Sequence, residues 1–143
     1  MDETDERHLR RAIALASEAR AGGEMPYGSL LVGPSGDVLA EDHNTVLSER
    51  DISAHPELKL ARWAARELDA DVAAQTTMYT SCQPCPMCTG AIARSGLGRV
   101  VFALAGEQLK GLGATSPDAA VVAFEGPALF DEARVPIEGY YAT

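Results

Sequence analysis

Two short stretches of the chain carry side chains that can do chemistry together: His55-Pro56-Glu57, and Pro84-Cys85-Pro86-Met87-Cys88. Cys85 and Cys88 stand three apart, so on the first turn of a helix both sulfurs can converge on one ion. The partial positive charge of a helix N-terminus favours the thiolate, which is the ligating form. His55 offers a neutral nitrogen as a third ligand. Two thiolates, one imidazole and an open fourth position describe a catalytic zinc rather than a closed structural one. Glu57 lies two residues beyond His55, too near to share its direction on a helix. That placement suits a carboxylate that reaches the reacting water instead of the metal.

Other readings of the cysteines compete. A lone Cys-x-x-Cys fits a redox pair, although nothing in that chemistry calls for a distant His-x-Glu. A closed structural zinc could use Cys82, Cys85, Cys88 and one histidine. Cys82, however, precedes Pro84 on the strand side, outside the first helical turn, and reads as a buried structural cysteine. An iron–sulfur cluster needs a fourth thiolate, and the chain holds three cysteines. His8 and His43 have no partner in the sequence and read as solvated.

These residues need elements to hold them. Residues 5–21 place Leu9, Ala12, Ile13 and Ala16 at helical spacing and stop at Gly22-Gly23, which predicts an amphipathic helix. Tyr27–Gly33 is a short apolar run. Pro34-Ser35-Gly36-Asp37 then marks a turn, and Val38–Asn44 reads as the returning strand of a hairpin. Pro56 opens an Ala- and Leu-rich helix to about Leu68; proline is tolerated at a first helical position because its missing N–H has no partner there. Trp63, on that helix, reads as core. Thr76–Ser81 predicts a third strand, Pro86–Ser95 a small-residue helix and Val100–Leu104 a fourth strand. Beyond Gly106 the signals weaken to a helix at Pro127–Arg134 and a strand at Val135–Tyr141. A hairpin followed by alternating helix and strand predicts a mixed sheet covered on both faces.

Composition narrows the partners. The chain has 143 residues, 46% hydrophobic and 23% charged, enough for one domain with its own core. Twelve Lys and Arg face 21 Asp and Glu, a formal charge of −9. A polynucleotide binder needs a basic footprint to neutralise phosphates, so a small neutral substrate is expected and no nucleic acid partner. No apolar run suggests a membrane span, and the charged start does not read as a signal peptide. Three clustered cysteines argue for a reduced, cytoplasmic setting.

The pattern H-x-E…P-C-x-x-C is that of the zinc nucleobase deaminases, and the chain resembles the cytidine deaminase-like superfamily. Met78–Ile92, MYTSCQPCPMCTGAI, is similar to the same stretch of bacterial guanine deaminases. Pro26-Tyr27-Gly28 is similar to their Pro-Phe-Gly, and Asn44 to the asparagine with which they hold the base. The likeness runs from the first helix to about residue 104. It departs at Pro56, where alanine is usual, and at Gln83, where glutamate is usual.

The resemblance implies a three-layer α/β/α sandwich with a mixed five-stranded sheet, as one domain over residues 1–143. It implies one zinc ion per chain on His55, Cys85 and Cys88, with Glu57 as the proton shuttle. Asn44, the backbone of Ser81 and Cys82, and Tyr141 are the expected substrate contacts. Small bases are the implied substrates, such as guanine, cytosine or an aminotriazine-like ring, with water as co-substrate and ammonia as product. A nucleoside or a tRNA adenosine is the alternative; a non-enzymatic zinc or redox module would release no ammonia. The resemblance also implies a homodimer whose tail, Val135–Thr143, helps close an active site; by residue type alone Glu125, Asp131 and Glu138 are candidate acidic contacts to a substrate amino group, and no motif chooses among them.

Overall fold

The computed structural model describes residues 1–115 and 122–142. Helix α1 (Glu3–Ala21) begins in a reciprocal cap: Asp5 donates its N–H to Asp2 Oδ1 at 2.9 Å, and Asp2 donates to Asp5 Oδ2 at 3.0 Å. This satisfies two of the backbone donors that a helix start leaves open. Strands β1 (Gly28–Val32) and β2 (Val38–His43) form the expected antiparallel hairpin around the Gly33–Asp37 turn. A short helix α2 (Val46–Glu49) leads to α3 (Pro56–Glu67), and a further turn of helix, α4 (Ala70–Ala74), to β3 (Thr77–Cys82). Helix α5 (Pro86–Ser95) then crosses to β4 (Arg99–Leu104), which lies parallel to β3. The sheet order is β2-β1-β3-β4.

The period of two along each strand divides the core between the faces of the sheet. Leu30, Tyr79 and Val101 pack with Leu9, Ala12 and Leu15 of α1. Their neighbours Leu31, Met78 and Val100 face the other way, against Leu60, Ala64 and Trp63 of α3 and Ile92 of α5. Helices therefore cover both faces, giving the expected three layers. Gly28 marks a close approach of α1: a Cβ there would lie 2.5 Å from Leu15 Cβ and 2.6 Å from Ala12 O. Among the described residues, no helix is long and apolar enough to cross a membrane.

Three expectations need correction. The sheet has four strands among the described residues, not five. Residues 135–140 form successive turns instead of a strand, because Ile137 and Glu138 donate to Arg134 O and Tyr140 to Ile137 O. Backbone groups used locally are not free for a ladder. Past β4 lies a short helix α6 (Gly106–Gly111), and the expected C-terminal helix is confined to α7 (Phe130–Ala133), with Leu129 before it in the left-handed region at φ 56°.

The start of α1 is not simply solvated. Asp5 and His8 lie on its buried stripe, at 5% and 7% exposure. Asp5 receives both guanidinium nitrogens of Arg99, at 3.0 and 2.9 Å, and the Tyr79 hydroxyl at 2.6 Å. The His8 ring sits 4.9 Å from that of Tyr79. Ile13, expected on the inner stripe, is 47% exposed.

Candidate active site

Two helix starts of the same build meet at one place. His55 is the N-cap of α3 and Cys85 the N-cap of α5, each in extended backbone and each followed by proline at the first helical position. Cys88 sits one turn into α5 and is fully buried. The Nδ1 of His55 lies 3.6 Å from Cys85 Sγ and 3.4 Å from Cys88 Sγ, and the three ligand atoms fall within 4.8 Å of one another. Zinc bonds of about 2.3 Å to sulfur and about 2.0 Å to nitrogen, at a tetrahedral angle, put nitrogen and sulfur about 3.5 Å apart. The three side chains thus fit a zinc ion, and helix ends aimed at them favour thiolate. Cys82 is not in this group.

The electrostatics fit as well. Hydrogen bonds from Cys88 and His55 draw the Cys85 thiol down to about 4. Cys88 goes the other way, because it shares a proton with Cys85 and is buried. A divalent cation reverses that balance and holds both as thiolates. The Cys85 thiolate in turn raises His55.

Glu57 stands at the second position of α3 and is 7% exposed. Burial pushes its carboxyl up to about 7, against the opposing pull of His55 and a hydrogen bond from Ser29. A carboxyl near neutrality can both take and return a proton at physiological pH. Ser29 Oγ lies 3.4 Å from Glu57 Oε1 and 2.7 Å from Thr80 Oγ1.

Asn44 follows β2 and is 1% exposed. Its N–H donates to Tyr27 O at 2.9 Å, and its Oδ1 accepts from Val46 N–H at 2.9 Å. The other half of the amide, Nδ2, is left as a donor. Lys59, on α3, fastens this loop by donating to Asp42 Oδ1, His43 O and Thr45 Oγ1 at 2.8–3.0 Å. Sequence reading passed over Lys59, because one lysine on an amphipathic helix carries no signal.

The remaining expected contacts divide. Ser81 is buried, and its Oγ accepts the Gly28 N–H at 3.1 Å, so its hydroxyl serves the sheet. Cys82 is half-buried at the end of β3, its thiol pushed up by burial. Tyr27 is half-buried too, and burial and the nearby Cys82 and Glu57 raise its phenol. Tyr141 is 78% exposed and packs edge-on against Tyr140, so within one chain it seals no pocket. Asp131 and Glu138 bind Arg134, and Glu125 is exposed.

Residues 2–104 match the family described as the cytidine and deoxycytidylate deaminase zinc-binding region. Guanine deaminase of Bacillus subtilis (strain 168) is 35% identical over 134 residues, covering 93% of this chain and 79% of that protein. Its X-ray structure matches with a TM-score of 0.79 at 28% identity, covering 98% and 94% of the two chains. A probable cytosine deaminase of Schizosaccharomyces pombe is 32% identical over an alignment of 162 residues, covering 99% and 94%. A tRNA-specific adenosine deaminase of Haemophilus influenzae is 36% identical over 100 residues; the match spans 70% of this chain but 58% of that relative.

Proposed function

The chain belongs to the cytidine and deoxycytidylate deaminase family of zinc-binding hydrolytic deaminases, and from that premise we propose that it deaminates a free amino-substituted base such as guanine or cytosine. One observation carries the choice of substrate. The relatives named for free bases align over 93% and 99% of this chain, whereas the tRNA-specific relative aligns over 70%. What lies beyond the shared zinc-binding region is therefore in common with the base deaminases. A net charge of −9 also disfavours tRNA.

In this reading residues 1–143 act as one deaminase domain. His55, Cys85 and Cys88 hold one zinc ion, whose Lewis acidity makes water a nucleophile at neutral pH. Asn44 Nδ2 and the backbone of Ser81 and Cys82 hold the edge of the base. Glu57 takes a proton from the attacking water and gives it to a ring nitrogen. It then takes the remaining proton from the added hydroxyl and passes it to the departing amino group, so that base and water become the oxo base and ammonia.

A second copy of the chain belongs to the same reading. Phe124, Leu129, Phe130, Val135, Tyr140 and Tyr141 are each 64–93% exposed, more apolar surface than a lone molecule ordinarily leaves to water. The C-terminal segment accordingly packs on a partner and helps close a site, with Tyr141 as a contact; Thr143 lies outside the described residues. Sedimentation equilibrium should give twice the 15.1 kDa chain mass; a monomer at micromolar concentration would remove the lid.

The test of function is ammonia release from a panel of free bases, aminotriazines, nucleosides and tRNA. Turnover confined to free bases is expected. Turnover of tRNA or nucleosides alone would overturn the substrate, and none at all would overturn the activity.

A further inference from the structure

Ser29 and Thr80 face each other across antiparallel β1 and β3. Both side chains lie on the α3 side of the sheet, because the next rung on that face is the apolar pair Leu31 and Met78. Ser29 is 0% exposed and Thr80 1%. Burying a hydroxyl is costly unless its hydrogen bonds are made, and alanine or valine would fill these positions without that cost.

Counting protons shows what the pair is for. Two hydroxyls bring two protons, and the 2.7 Å bond between them uses one. If Ser29 donates to Thr80, the Thr80 proton has no acceptor among the described residues. If Thr80 donates to Ser29, the Ser29 proton is free to turn to Glu57 Oε1 at 3.4 Å, and every proton has a place. The second arrangement is the one that leaves nothing unpaired.

We infer that Ser29, backed by Thr80, is a positioning residue for Glu57: the chain Thr80→Ser29→Glu57 holds Oε1 inward and leaves Oε2 to face the reacting groups. A hydroxyl suits this place, because it can donate to Oε1 whether or not Oε2 carries a proton. The contact therefore persists while Glu57 takes up and returns its proton, as the deaminase reading on which this inference rests requires.

The test uses the zinc-loaded protein and near-isosteric changes. Ser29→Ala should lower kcat for ammonia release about tenfold, the scale seen when groups behind a site are removed, while KM and zinc content stay within twofold. Thr80→Val should lower kcat less, and Thr80→Ser should restore it. In the Ser29→Ala background Thr80→Val should add nothing, since the link is already broken. Crystals of Ser29→Ala should show the Glu57 carboxylate turned from its wild-type orientation; should that variant not fold, Ser29→Cys gives the same comparison. An unmoved carboxylate, an unchanged kcat, or a Thr80→Val effect of equal size in both backgrounds would overturn the inference. A wild type inert on every compound, with the carboxylate released in Ser29→Ala, would overturn the deaminase reading and leave the positioning role standing.

Discussion

At the scale of single residues, the proposed reaction sets apart groups that bind from a group that moves protons. Glu57→Gln keeps the shape of the side chain and cannot take a proton. One positioned acid–base group contributes on the order of 10²–10⁴-fold, and this one would serve every transfer in the proposed reaction. The variant should therefore bind one zinc per chain and lose at least about a thousandfold in kcat. Metal analysis beside an ammonia assay checks both halves, and a tenth of the wild-type rate would exclude Glu57 as the shuttle. The metal ligands were legible in the sequence because thiolates and imidazoles at such spacing have few other uses. Ser29 and Thr80 were not, since their value comes from a strand register that joins residues 51 apart in the chain.

At the scale of elements, two helices and a hairpin place those groups, and most of that was legible too. The helices α1, α3 and α5 and all four strands follow from periodicity and from the glycines and prolines that bound them. Errors came where chemistry disguised position. Asp5 and His8 look like surface residues by type, yet their spacing with Leu9 and Ala12 puts them on the inner stripe of α1. The C-terminal strand failed for the opposite reason: apolar residues suggested β structure, while Pro136 and Gly139 allowed turns to capture the backbone. One tight joint between elements is Gly28 under α1. Gly28→Ala would set a methyl within 2.6 Å of the Ala12 carbonyl oxygen, and overpacking commonly costs roughly 1–3 kcal/mol. A loss at or above the top of that range is expected in urea unfolding. A midpoint equal to wild type would mean that α1 moves freely over β1.

At the scale of the whole molecule, Asp5 ties the first helix to both β3 and β4. Arg99 above all, and then the Tyr79 hydroxyl, hold its carboxyl well below the usual carboxylate range. A carboxyl lowered on folding stabilises the fold above its unfolded value, near 4, and that contribution is lost as pH falls through the folded value. Asp5→Asn should accordingly cost about 1.5–3 kcal/mol at pH 7, as expected for hydrogen bonds to a charged group. The gap from wild type should narrow steadily below about pH 5. Thermal melts from pH 7 down to pH 3 read it directly, and a constant gap would assign the stability to packing alone.

The meeting of His55 and Cys85 at the starts of α3 and α5 has a mechanical side. Those two positions are 30 residues apart in the chain, with β3 between them. An ion gripped there is a cross-link, closing a loop that the unfolded chain leaves open. Because the unfolded chain lacks the assembled grip, binding and folding share one free energy. At a free metal concentration a hundred times Kd, that linkage is worth about 2.7 kcal/mol. Stripping the metal with a chelator should lower Tm by several degrees, and stoichiometric zinc should bring it back. The loss should appear first as looser protection of α3 and α5 amides in hydrogen exchange, with α1 and its strands following later, so that the ion acts as a keystone for one face of the sheet.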